Sequence, residues 1–552
     1  MNATMPPAGL RGYRRRWLRG DGLGALTAWA LIVPECVAYA QIAGVPPQNA
    51  FYAAPVALLV YALLGRSNFL VIGATSAAAV LSASAVSDVS SDPGQAVGLS
   101  AAVALVAGAV LLVAGFARLG FLTSFLAEPA LVGFLFGMAL TIIVRQAAKL
   151  VGVSSGDGDF FERLWTVLSK APHWSLTTLA VGAGALVLLL ALERWLPKLP
   201  ASLIVLALGL ALSAGLGWKD HGVEIVGKIP AAVPVPHPPG IPAADWLKLL
   251  GGALGVALVV FAEAYSIAGR FAREHGQRID ADREMKAVGA ANVLVGLVRG
   301  FAVSGSASRT AAAVGAGGRT RMTSLIAAAL VLVTGAFLTP LFTDLPEPVL
   351  GAIVIVAVRG FLRVGELRRY AAYDRASLWV ALTALVGVLV LDLLPGLLLA
   401  VALSLVLFVG NAGNRRLSVI GRLPGTDVYG DVALHEQAVT TPGVLAVRPD
   451  GSLFFGNAQR VKDAALALCR AAEPAPHALV LDLTATFHLG IPVLDTIEEL
   501  RDALERDGIE LHLAHVRGLA DETLRVHPLA ERLGPGRIHR LTAAAVAVAT
   551  SA

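Results

Sequence analysis

Charged residues are scarce in this sequence. Asp, Glu, Lys and Arg make up 15% of its 552 residues, whereas soluble domains contain about 25%. Hydrophobic residues make up 56%, and the mean hydropathy is +0.70. This balance argues against an ordinary soluble protein and indicates that most of the chain faces lipid or other apolar helices.

Cysteine and the common catalytic motifs are also nearly or wholly missing. The 2 cysteines, Cys36 and Cys469, lie in an apolar run and in the polar C-terminal region, so we expect neither a disulfide nor a metal site. The apolar runs contain no His-Glu-x-x-His, no Gly-x-Ser-x-Gly and no Cys–His pair, and residues 315–320 lack the lysine and spacing of a phosphate-binding loop. We therefore expect neither an enzyme nor an ATP-driven pump, and no cofactor.

Fourteen apolar runs predict fourteen membrane spans, several of them near the usual length of about 20 residues. They begin near residues 22–43, 50–64, 73–87, 97–117, 121–143, 173–193, 200–217, 246–270, 284–299, 305–316, 322–342, 347–363, 375–393 and 395–411. Two long loops, near 145–172 and 218–245, separate some of them. The runs at 73–87 and 305–316 are short for a crossing, and irregular backbone at membrane depth requires protein or a wet cavity around it.

The basic residues show which side of the membrane each loop occupies. The net charge of +5 comes largely from arginines and lysines that follow even-numbered spans, as cytoplasmic loops require. The short loops after odd-numbered spans are nearly free of them, with Arg299 as the exception. The basic N-terminus resembles a signal peptide, but Pro34 and Glu35 interrupt the run and no small-residue cleavage site follows. We predict a multi-pass protein of the plasma or inner membrane with both termini in the cytoplasm.

The sequence repeats itself across its two halves. Gly73-Ala74-Thr75-Ser76 and Gly305-Ser306-Ala307-Ser308-Arg309 each interrupt an apolar run, and their glycines are 232 residues apart. Two carboxylates within apolar runs, Glu35 and Glu263, are 228 residues apart. A third repeated motif is Glu-Pro-x-Leu, at 128–131 and 347–350. Since seven spans is an odd number, the two halves have opposite orientations, which is typical of transporters built from inverted repeats.

The two glycine-containing breaks predict a binding site for a small anion. A helix N-terminus leaves about four N–H groups unpaired and carries roughly half a positive charge, so two such ends that face each other form an anion site. Ser306 and Ser308 add hydroxyl donors, and Arg309 adds a permanent charge that is functional by default inside a membrane. The alternative is that the small residues only allow helices to pack closely.

The two buried acids indicate coupling to a cation. Glu35 and Tyr39 are four residues apart and share one helical face, as do Glu263 and Ser266 at a spacing of three. A carboxylate in an apolar place favours its neutral form, and a neutral acid does not repel a bound anion. Anion and proton would then load together, which predicts proton–anion symport. Two alternatives remain: a fixed ion pair of Glu35 or Glu263 with Arg309, and a Na⁺ site around Glu263.

The C-terminal region has the pattern of a small α/β domain of about 110 residues. A hairpin is predicted from 444–447 and 453–455 across Pro449-Asp450-Gly451. Helices follow at 457–471 and 493–505, strands at 477–483 and 509–515, and then a last helix and strand. We divide the chain into a cytoplasmic N-terminal segment (1–20), a transmembrane transport domain (21–412, with repeats near 21–217 and 246–412), and a linker with a cytoplasmic domain (413–552).

Two motifs resemble the SulP/SLC26 family of anion transporters. The first reads Val33-Pro34-Glu35-Cys36-Val37-Ala38-Tyr39-Ala40-Gln41, and the second reads Phe301-Ala302-Val303-Ser304-Gly305-Ser306-Ala307-Ser308-Arg309-Thr310. The α/β region resembles the STAS domain of that family, so the resemblance covers nearly the whole chain.

This resemblance implies a seven-plus-seven inverted-repeat fold, in which a core domain (spans 1–4 and 8–11) moves like an elevator against a gate domain (spans 5–7 and 12–14). It also implies a homodimer and, as substrates, sulfate, bicarbonate, chloride or dicarboxylates. By position it implies a set of pocket residues and, in Glu263, an acid linked to the coupling cation. The implied pocket residues are Glu35, Tyr39, Thr75, Ser76, Ala307, Ser308 and Arg309.

The sequence departs from the family pattern at three places. Glu35 replaces the usual Gln, and Gly73-Ala74 replaces the usual Gly-Pro. The STAS loop reads Gly490-Ile491-Pro492-Val493 where the family often has hydroxyl residues. We therefore expect a structural or dimerising STAS domain without phosphorylation control, and a surface or packing role for His488.

Other functions fit the sequence less well. A nucleobase transporter of the same fold would not need Arg309, because its substrate is neutral. A Na⁺-coupled bicarbonate symporter, an uncoupled exchanger and an anion channel remain open. The sequence does not distinguish sulfate, bicarbonate and dicarboxylate as the transported anion.

Overall fold

The computed structural model describes residues 13–90, 92–120, 128–156, 158–196, 199–231, 233–391, 393–413 and 416–551. The chain divides into two compact units, Met1–Ser404 and Leu405–Ala552. The first unit is almost entirely helical, and the second combines a sheet with helices.

The first half of the helical unit contains eight helices and one very short strand within the described residues. They are α1 (Leu18–Ile42), α2 (Pro47–Leu64), β1 (Ile72–Gly73), α3 (Ser76–Ser87), α4 (Ala96–Phe116), α5 (Glu128–Leu150), α6 (Phe160–Ser169), α7 (Leu176–Trp195) and α8 (Ala201–Leu216).

The second half follows the same order in the part of the chain that is described. It has α9 (Ala243–Glu274), α10 (Ala281–Leu297), β2 (Ser304–Gly305), α11 (Ala307–Gly315), α12 (Met322–Val333), α13 (Glu347–Arg359), α14 (Val364–Tyr373), α15 (Arg375–Leu391) and α16 (Leu393–Gly413). A π-helical turn, Thr334–Leu338, and a 3₁₀ turn, Thr339–Phe342, extend α12.

A helix is present at each of the fourteen predicted spans. Within the described residues, eight of these helices are long and apolar enough to cross a membrane: α1, α2, α4, α5, α7, α9, α12 with its extension, and α13 with α14. Of the other six, α3, α8, α10, α11 and α15 have 9 to 17 residues and α16 has 21. Helices α3 and α11 are the two that begin at the glycine-containing breaks. The predicted α-helical membrane fold with a small α/β domain is confirmed.

Two local predictions need correction. The fifth span was predicted at 121–143, but its helix runs over Glu128–Leu150, and residues 121–127 lie outside the described residues. The predicted loop at 145–172 therefore begins later and also contains α6, which starts with a capping box between Asp159 and Glu162. Hydropathy missed the end of α5 because Arg145 and Lys149 interrupt the apolar pattern there.

Packing within the helical unit follows the core and gate division that the family resemblance implies. Helix α10 packs most closely on α4 and also on α2, while α1, α3 and α9 complete the same group. Helix α5 packs on α15 and α13, and α13 also packs on α7. Helix α1 contacts both groups, because it packs on α11 and α12 and also on α8 and α13.

The two short strands connect the two halves of this unit. Strands β1 and β2 are antiparallel, with Ile72 opposite Gly305 and Gly73 opposite Ser304. Both strands are buried. This pairing satisfies part of the irregular backbone inside the apolar unit, where an unpaired N–H or C=O costs several kcal/mol.

The second unit is a mixed five-stranded sheet with helices on both faces. Its strands are β3 (Leu417–Arg422), β4 (Tyr429–Asp431), β5 (Val444–Pro449), β6 (Ala478–Asp482) and β7 (Glu510–Ala514), in the order β4-β3-β5-β6-β7. Its helices are α17 (Ala458–Ala471), α18 (Ile491–Arg506), α19 (Leu519–Arg525), α20 (Pro528–Leu533) and α21 (Thr542–Ser551). Strands β5, β6 and β7 are parallel. One apolar core contains α17 to α20, and α21 covers the other face.

Two predictions for this unit are wrong. Residues 453–455 do not form a strand, and the antiparallel partner of β5 is the earlier strand β3, which sequence reasoning missed. The predicted last strand is a single bridge between Ile538 and Leu513. Both errors arise because strand pairing depends on long-range partners, which a local pattern does not reveal. His488 is exposed, as predicted.

A buried carboxylate, Asp482, organises the end of β6. It accepts hydrogen bonds from Arg448, His515 and Thr542 at 2.8, 3.0 and 3.0 Å, and from Thr484. Burial opposes ionisation, but the hydrogen bonds from Thr484 and the charge of Arg448 outweigh it and hold the pKa of Asp482 below its ordinary value. Ionised Asp482 therefore stabilises the unit, and this stabilisation is lost as the pH falls through the lowered pKa.

Close approach of α10 to α4 requires glycine at position 289. A Cβ on Gly289 would lie 2.9 Å from the carbonyl oxygen of Gly108, which is backbone and cannot move aside. We predict that Gly289→Leu lowers the stability of the protein by at least the 1–3 kcal/mol or so that is typical of overpacking. Thermal unfolding in detergent measures this loss.

The matched control is Gly251→Leu, because Gly251 is also helical and has open space around it. We expect its unfolding temperature to stay near that of the wild type. Equal unfolding temperatures for the two variants would contradict the tight packing of α10 on α4.

Candidate anion-binding site

The candidate site forms where the N-termini of α3 and α11 meet. Each helix follows directly after one of the paired strands, and because the strands are antiparallel the two helices run away from each other. Thr75 caps α3 by accepting a hydrogen bond from the N–H of Ala78 at 3.3 Å. Ser306 caps α11 by accepting one from the N–H of Arg309 at 3.4 Å. The predicted proximity of Gly73 and Gly305 is confirmed.

Backbone N–H groups in the first turn of each helix are available to a ligand. The two capping side chains satisfy the third residue of each helix, whereas Ser76 and Ala77 in α3, and Ala307 and Ser308 in α11, find no acceptor in the described part of the chain. These four donors carry the positive ends of two helix dipoles. They form a neutral but electropositive surface around the paired strands.

Arg309 supplies the permanent charge at this surface. Its side chain is 1% exposed, and its Nη2 donates to the carbonyl oxygen of Ala74 at 2.7 Å. Its Nε lies 3.3 Å from Oε2 of Glu35. A Cβ on residue 73 would lie 2.7 Å from its Nη1, so Gly73 leaves the space that the guanidinium occupies. The guanidinium thus belongs to α11 but is held against the start of α3.

The ion pair between Arg309 and Glu35 is incomplete. The Nε atom of Arg309 and the Oε2 atom of Glu35 are both buried, and neither has a hydrogen-bond partner among the described residues. Their 3.3 Å separation gives Coulomb attraction without the aligned N–H···O geometry of a strong pair. One alternative left open by the sequence, a pair between Glu35 and Arg309, is therefore present, but it leaves polar atoms unsatisfied.

Glu263 lies on α9, which packs on β2. Thr75 donates a hydrogen bond to its Oε2 at 3.3 Å. The neighbouring Ser304 donates to the carbonyl oxygen of Val260, one turn before Glu263, at 2.9 Å. Tyr39 of α1 is buried and interacts with Ser76 and with the charges of Glu35 and Glu263.

Two predicted residues form the open part of the site. Ala307 and Ser308 are exposed, whereas Ser306 and Arg309 behind them are buried. The hydroxyls of Ser306 and Ser308 lie 3.1 Å apart. The structure brings all the sequence-predicted residues to one place: Glu35, Tyr39, Thr75, Ser76, Glu263, Ser306, Ala307, Ser308 and Arg309. Their roles in binding stay a prediction.

Sequence reasoning missed the residues that hold the two breaks in place. The hydroxyl of Thr310 accepts a hydrogen bond from the N–H of Val71 at 3.0 Å, and Val71 accepts one from the N–H of Ser306 at 3.1 Å. Buried Asn292 of α10 makes two hydrogen bonds with the backbone of Val303, at 2.9 and 3.0 Å. A polar residue within an apolar span was the available signal for Asn292.

Two other buried acids in this unit are fully occupied with fixing helices. Asp21 accepts hydrogen bonds from the backbone N–H groups of Arg319 and Thr320 and from the Thr320 hydroxyl. Glu284 accepts hydrogen bonds from the Tyr61 hydroxyl at 2.7 Å and from the backbone N–H groups that follow α2. These hydrogen bonds occupy both carboxylates in holding the helices in place, in contrast to Glu35.

Comparisons with known proteins agree with this architecture. The family model of the sulfate permease family matches residues 18–384, and that of the STAS domain matches residues 436–542. A probable sulfate transporter of Mycobacterium tuberculosis is 36% identical over 548 residues, which cover 98% of each chain. Sulfate transporter 1.1 of Arabidopsis thaliana is 29% identical and covers 100% of this chain and 89% of its own length.

Solved structures show the same fold at lower sequence identity. The murine Solute Carrier 26 family member A9 anion transporter matches with a TM-score of 0.90 at 21% identity, covering 98% of this chain and 93% of its own. The transmembrane domain of the cyanobacterial bicarbonate transporter BicA matches with a TM-score of 0.62 at 22% identity, over 70% of this chain and 98% of its own.

The contact between Gly73 and Arg309 gives a direct test of the site. We predict that Gly73→Ala displaces the guanidinium and weakens binding of an oxyanion such as sulfate by about tenfold or more, since a hydrogen bond to a charged group contributes roughly 1.5–3 kcal/mol. Sulfate-dependent thermal stabilisation of the purified protein measures this affinity.

Gly184→Ala in α7 is the matched control, because a Cβ at Gly184 meets nothing within 4 Å. It should bind sulfate like the wild type. If Gly73→Ala also bound sulfate unchanged, the guanidinium would not be part of the binding site.

Proposed function

Because this chain belongs to the sulfate permease family, we propose that it is a secondary active transporter that carries a small oxyanion across a membrane together with a proton. The chain carries a STAS domain as well, and the permease and STAS matches together extend from residue 18 to residue 542. Sulfate is the substrate we favour, because the names of several relatives specify sulfate. Bicarbonate or a dicarboxylate is the alternative substrate.

The observation that carries this proposal is the position of Arg309 between two helix N-termini. A doubly charged oxyanion has acceptor oxygens in several directions, which suits the free N–H groups of α3 and α11 and the hydroxyl of Ser308. The Arg309 guanidinium adds charge without closing the site, because Ala307 and Ser308 in front of it are exposed. A neutral nucleobase would gain nothing from this buried cation.

Coupling follows from competition for Arg309. With Glu35 ionised, the pair of Glu35 and Arg309 is neutral, and an incoming anion meets a negative charge beside Arg309, its cationic partner. With Glu35 protonated, the guanidinium is free to attract the anion, and the acid can donate a hydrogen bond to it. Binding of the anion and binding of the proton therefore favour each other, and this reciprocity is the thermodynamic basis of symport.

Glu263 supports a second candidate, Na⁺ coupling. Its carboxylate and the Thr75 hydroxyl are oxygen ligands of the kind that hard cations prefer. A cation between them would lie beside the first turn of α3 and would favour a nearby anion. Uncoupled exchange is the remaining alternative.

Movement of the core group of helices against the gate group would expose the site to each side in turn. The site residues come from α1, α3, α9 and α11, all of which belong to the implied core, so the site would travel as one piece. We also propose that the protein resides in the cell membrane as a homodimer with both termini in the cytoplasm, as the loop charges and the family resemblance imply.

Removing Arg309 tests the anion site. In proteoliposomes, we expect Arg309→Ala to lose most sulfate uptake and at least tenfold in sulfate affinity, because the buried guanidinium between the two helix N-termini is gone. Since this variant leaves Glu35 buried without a counter-charge, it can lose about 3–5 kcal/mol of stability. The double variant Arg309→Ala/Glu35→Gln removes that charge as well and should fold but still not bind.

Arg359→Ala is the control for the loss of one arginine, because Arg359 forms its ion pair with half-exposed Glu193 away from the site. It should transport sulfate normally. Normal sulfate affinity in the folded double variant would exclude Arg309 from the anion site.

A separate prediction concerns the proton. Wild-type uptake should rise when the external solution is made more acidic, and Glu35→Gln, which mimics the protonated acid, should bind sulfate but respond little to the pH gradient. Glu263→Gln should keep the pH response. The measurement is sulfate uptake at clamped membrane voltage over a series of pH gradients, with and without Na⁺. Strict Na⁺ dependence that disappears in Glu263→Gln would replace proton coupling by Na⁺ coupling.

A further inference from the structure

Three polar side chains meet where α1 and α5 end and α13 begins. Nζ of Lys149 in α5 lies 3.1 Å from Oε2 of Glu347, the first residue of α13. The same Nζ donates a hydrogen bond to Oε1 of Gln41 in α1 at 2.9 Å. Nε2 of Gln41 lies 3.5 Å from Oε1 of Glu347, at the long end of hydrogen-bond reach. We call Gln41, Lys149 and Glu347 the polar triad.

The amide of Gln41 is chemically matched to the ion pair beside it. An ammonium group only donates hydrogen bonds, an ionised carboxylate only accepts them, and an amide does both. The carbonyl of Gln41 therefore faces Lys149, and its NH₂ group faces Glu347. The side chains of Lys149 and Glu347 are 29% and 23% exposed, so water screens this contact less than it screens a surface ion pair.

The polar triad joins the core group of helices to the gate group. Helices α5 and α13 pack on each other in the gate group, so the ion pair of Lys149 and Glu347 lies within it. Gln41 belongs to α1, the core helix that also carries Glu35, and it is the member of the triad that crosses between the groups. Apolar contacts can slide past one another, whereas these hydrogen bonds must break before the core moves. Gln41 and Lys149 also line a cavity of about 220 Å³, which leaves them room to separate.

Exposure of the two broken helices shows along which of them the central site is open. Ten of the 12 residues of α3 are buried. In α11 one face is exposed, formed by Ala307, Ser308, Ala311 and Gly315. Since α3 and α11 run away from each other, the site is open along α11 and closed along α3. The polar triad lies on the closed side, because Val80 of α3 lines the same cavity as Gln41 and Lys149.

We propose that the polar triad is an outer gate contact, in which Gln41 holds the core against the gate while the central site is open to the cytoplasm. In the topology predicted from the loop charges, α1, α3 and α5 end on the outer side of the membrane and α11 ends on the inner side. Gln41 is thus a positioning residue, which acts on the equilibrium between the two states and not on the anion. The proposal rests on the proposed function and adds to it the contact that must break before the site opens outward.

The repeated Glu-Pro-x-Leu motif gains a role from this proposal. Glu347 is the first residue of its second copy, and it brings a carboxylate to the start of α13, where the polar triad forms. Pro348 follows at a position of the helix where no N–H is needed, so the motif begins the helix and presents the gate residue together.

The test removes the amide of Gln41 and compares sulfate uptake from the two sides of the membrane. Intact bacterial cells that express the full-length protein present its outer side to labelled sulfate, and everted vesicles from the same cells present its inner side. A site that is open outward for only a fraction of the time binds external sulfate more weakly by that fraction. Since Gln41→Leu removes hydrogen bonds to charged groups from the inward-open state, we expect the KM in cells to fall about tenfold. The KM in everted vesicles should stay unchanged or rise.

Glu193→Gln is the matched control. Glu193 forms an ion pair with Arg359 at 2.8 Å, which joins α7 to α13 and thus lies within the gate group. Removing its charge breaks a contact of α13 without releasing the core. We expect the KM of this variant to equal that of the wild type in both preparations.

A charge exchange tests the bridging amide directly. Glu347→Lys alone should lower the KM in cells, because it places two ammonium groups next to each other. The double variant Lys149→Glu/Glu347→Lys restores an ion pair of opposite direction, and rotation of the Gln41 amide by half a turn restores both of its contacts. We expect the double variant to return to the wild-type KM in cells. This exchange also decides the case in which Gln41→Leu does not fold.

The outcomes separate the outer gate contact from the central site. A KM in cells that does not fall in Gln41→Leu, an equal fall in both preparations, or an equal fall in Glu193→Gln would overturn the gate contact and leave the proposed transport function intact. Failure of the charge exchange to restore the KM would overturn it as well. Absence of sulfate, bicarbonate and dicarboxylate uptake by the wild type in both preparations would instead overturn the proposed function.

Discussion

The structure depends on a contact between two residues of β1 and two residues of β2. This antiparallel pair places the N-termini of α3 and α11 next to each other and lets a guanidinium from one repeat reach the carbonyl oxygen of Ala74 in the other. The missing side chain of Gly73 makes room for that guanidinium. Thr310 and Asn292 then hold the neighbouring backbone by hydrogen bonds. Without this pairing there would be two short helices but no common electropositive surface.

The buried acids divide into two kinds according to how many donors each one has. Asp21, Glu284 and Asp482 each accept at least three hydrogen bonds, and their chemistry is fully used in joining elements of the fold. Glu35 differs, because one of its oxygens is buried without a hydrogen-bond partner among the described residues. An ionised carboxylate that is poorly satisfied in a low-dielectric place gains most from taking up a proton or from movement of its partner. This difference makes Glu35 the candidate for coupling.

The sequence predicted the positions of the helices and of the two breaks well. It predicted only part of the contacts that hold them in place. Apolar length located a helix at each predicted span, and small hydroxyl residues within apolar runs identified both breaks. Arg145 and Lys149 were assigned to a loop, because a hydropathy pattern treats a charged residue as the end of a span even where a cavity accommodates it. The pairing of β5 with β3 and the support from Thr310 were missed, since both depend on partners that are distant in sequence. The incomplete ion pair of Glu35 required coordinates.

The pairing of β1 with β2 also has a consequence for how the protein is made. The two glycines at this contact are separated by 232 residues, so the first strand enters the membrane long before its partner is synthesised. Until β2 arrives, the backbone of Val71 and Ile72 lacks the hydrogen bonds that hold it in the finished protein, and lipid offers no replacement. The first half of the chain therefore completes its fold only after the ribosome has delivered the second half, and insertion and folding of this transporter are separate events in time.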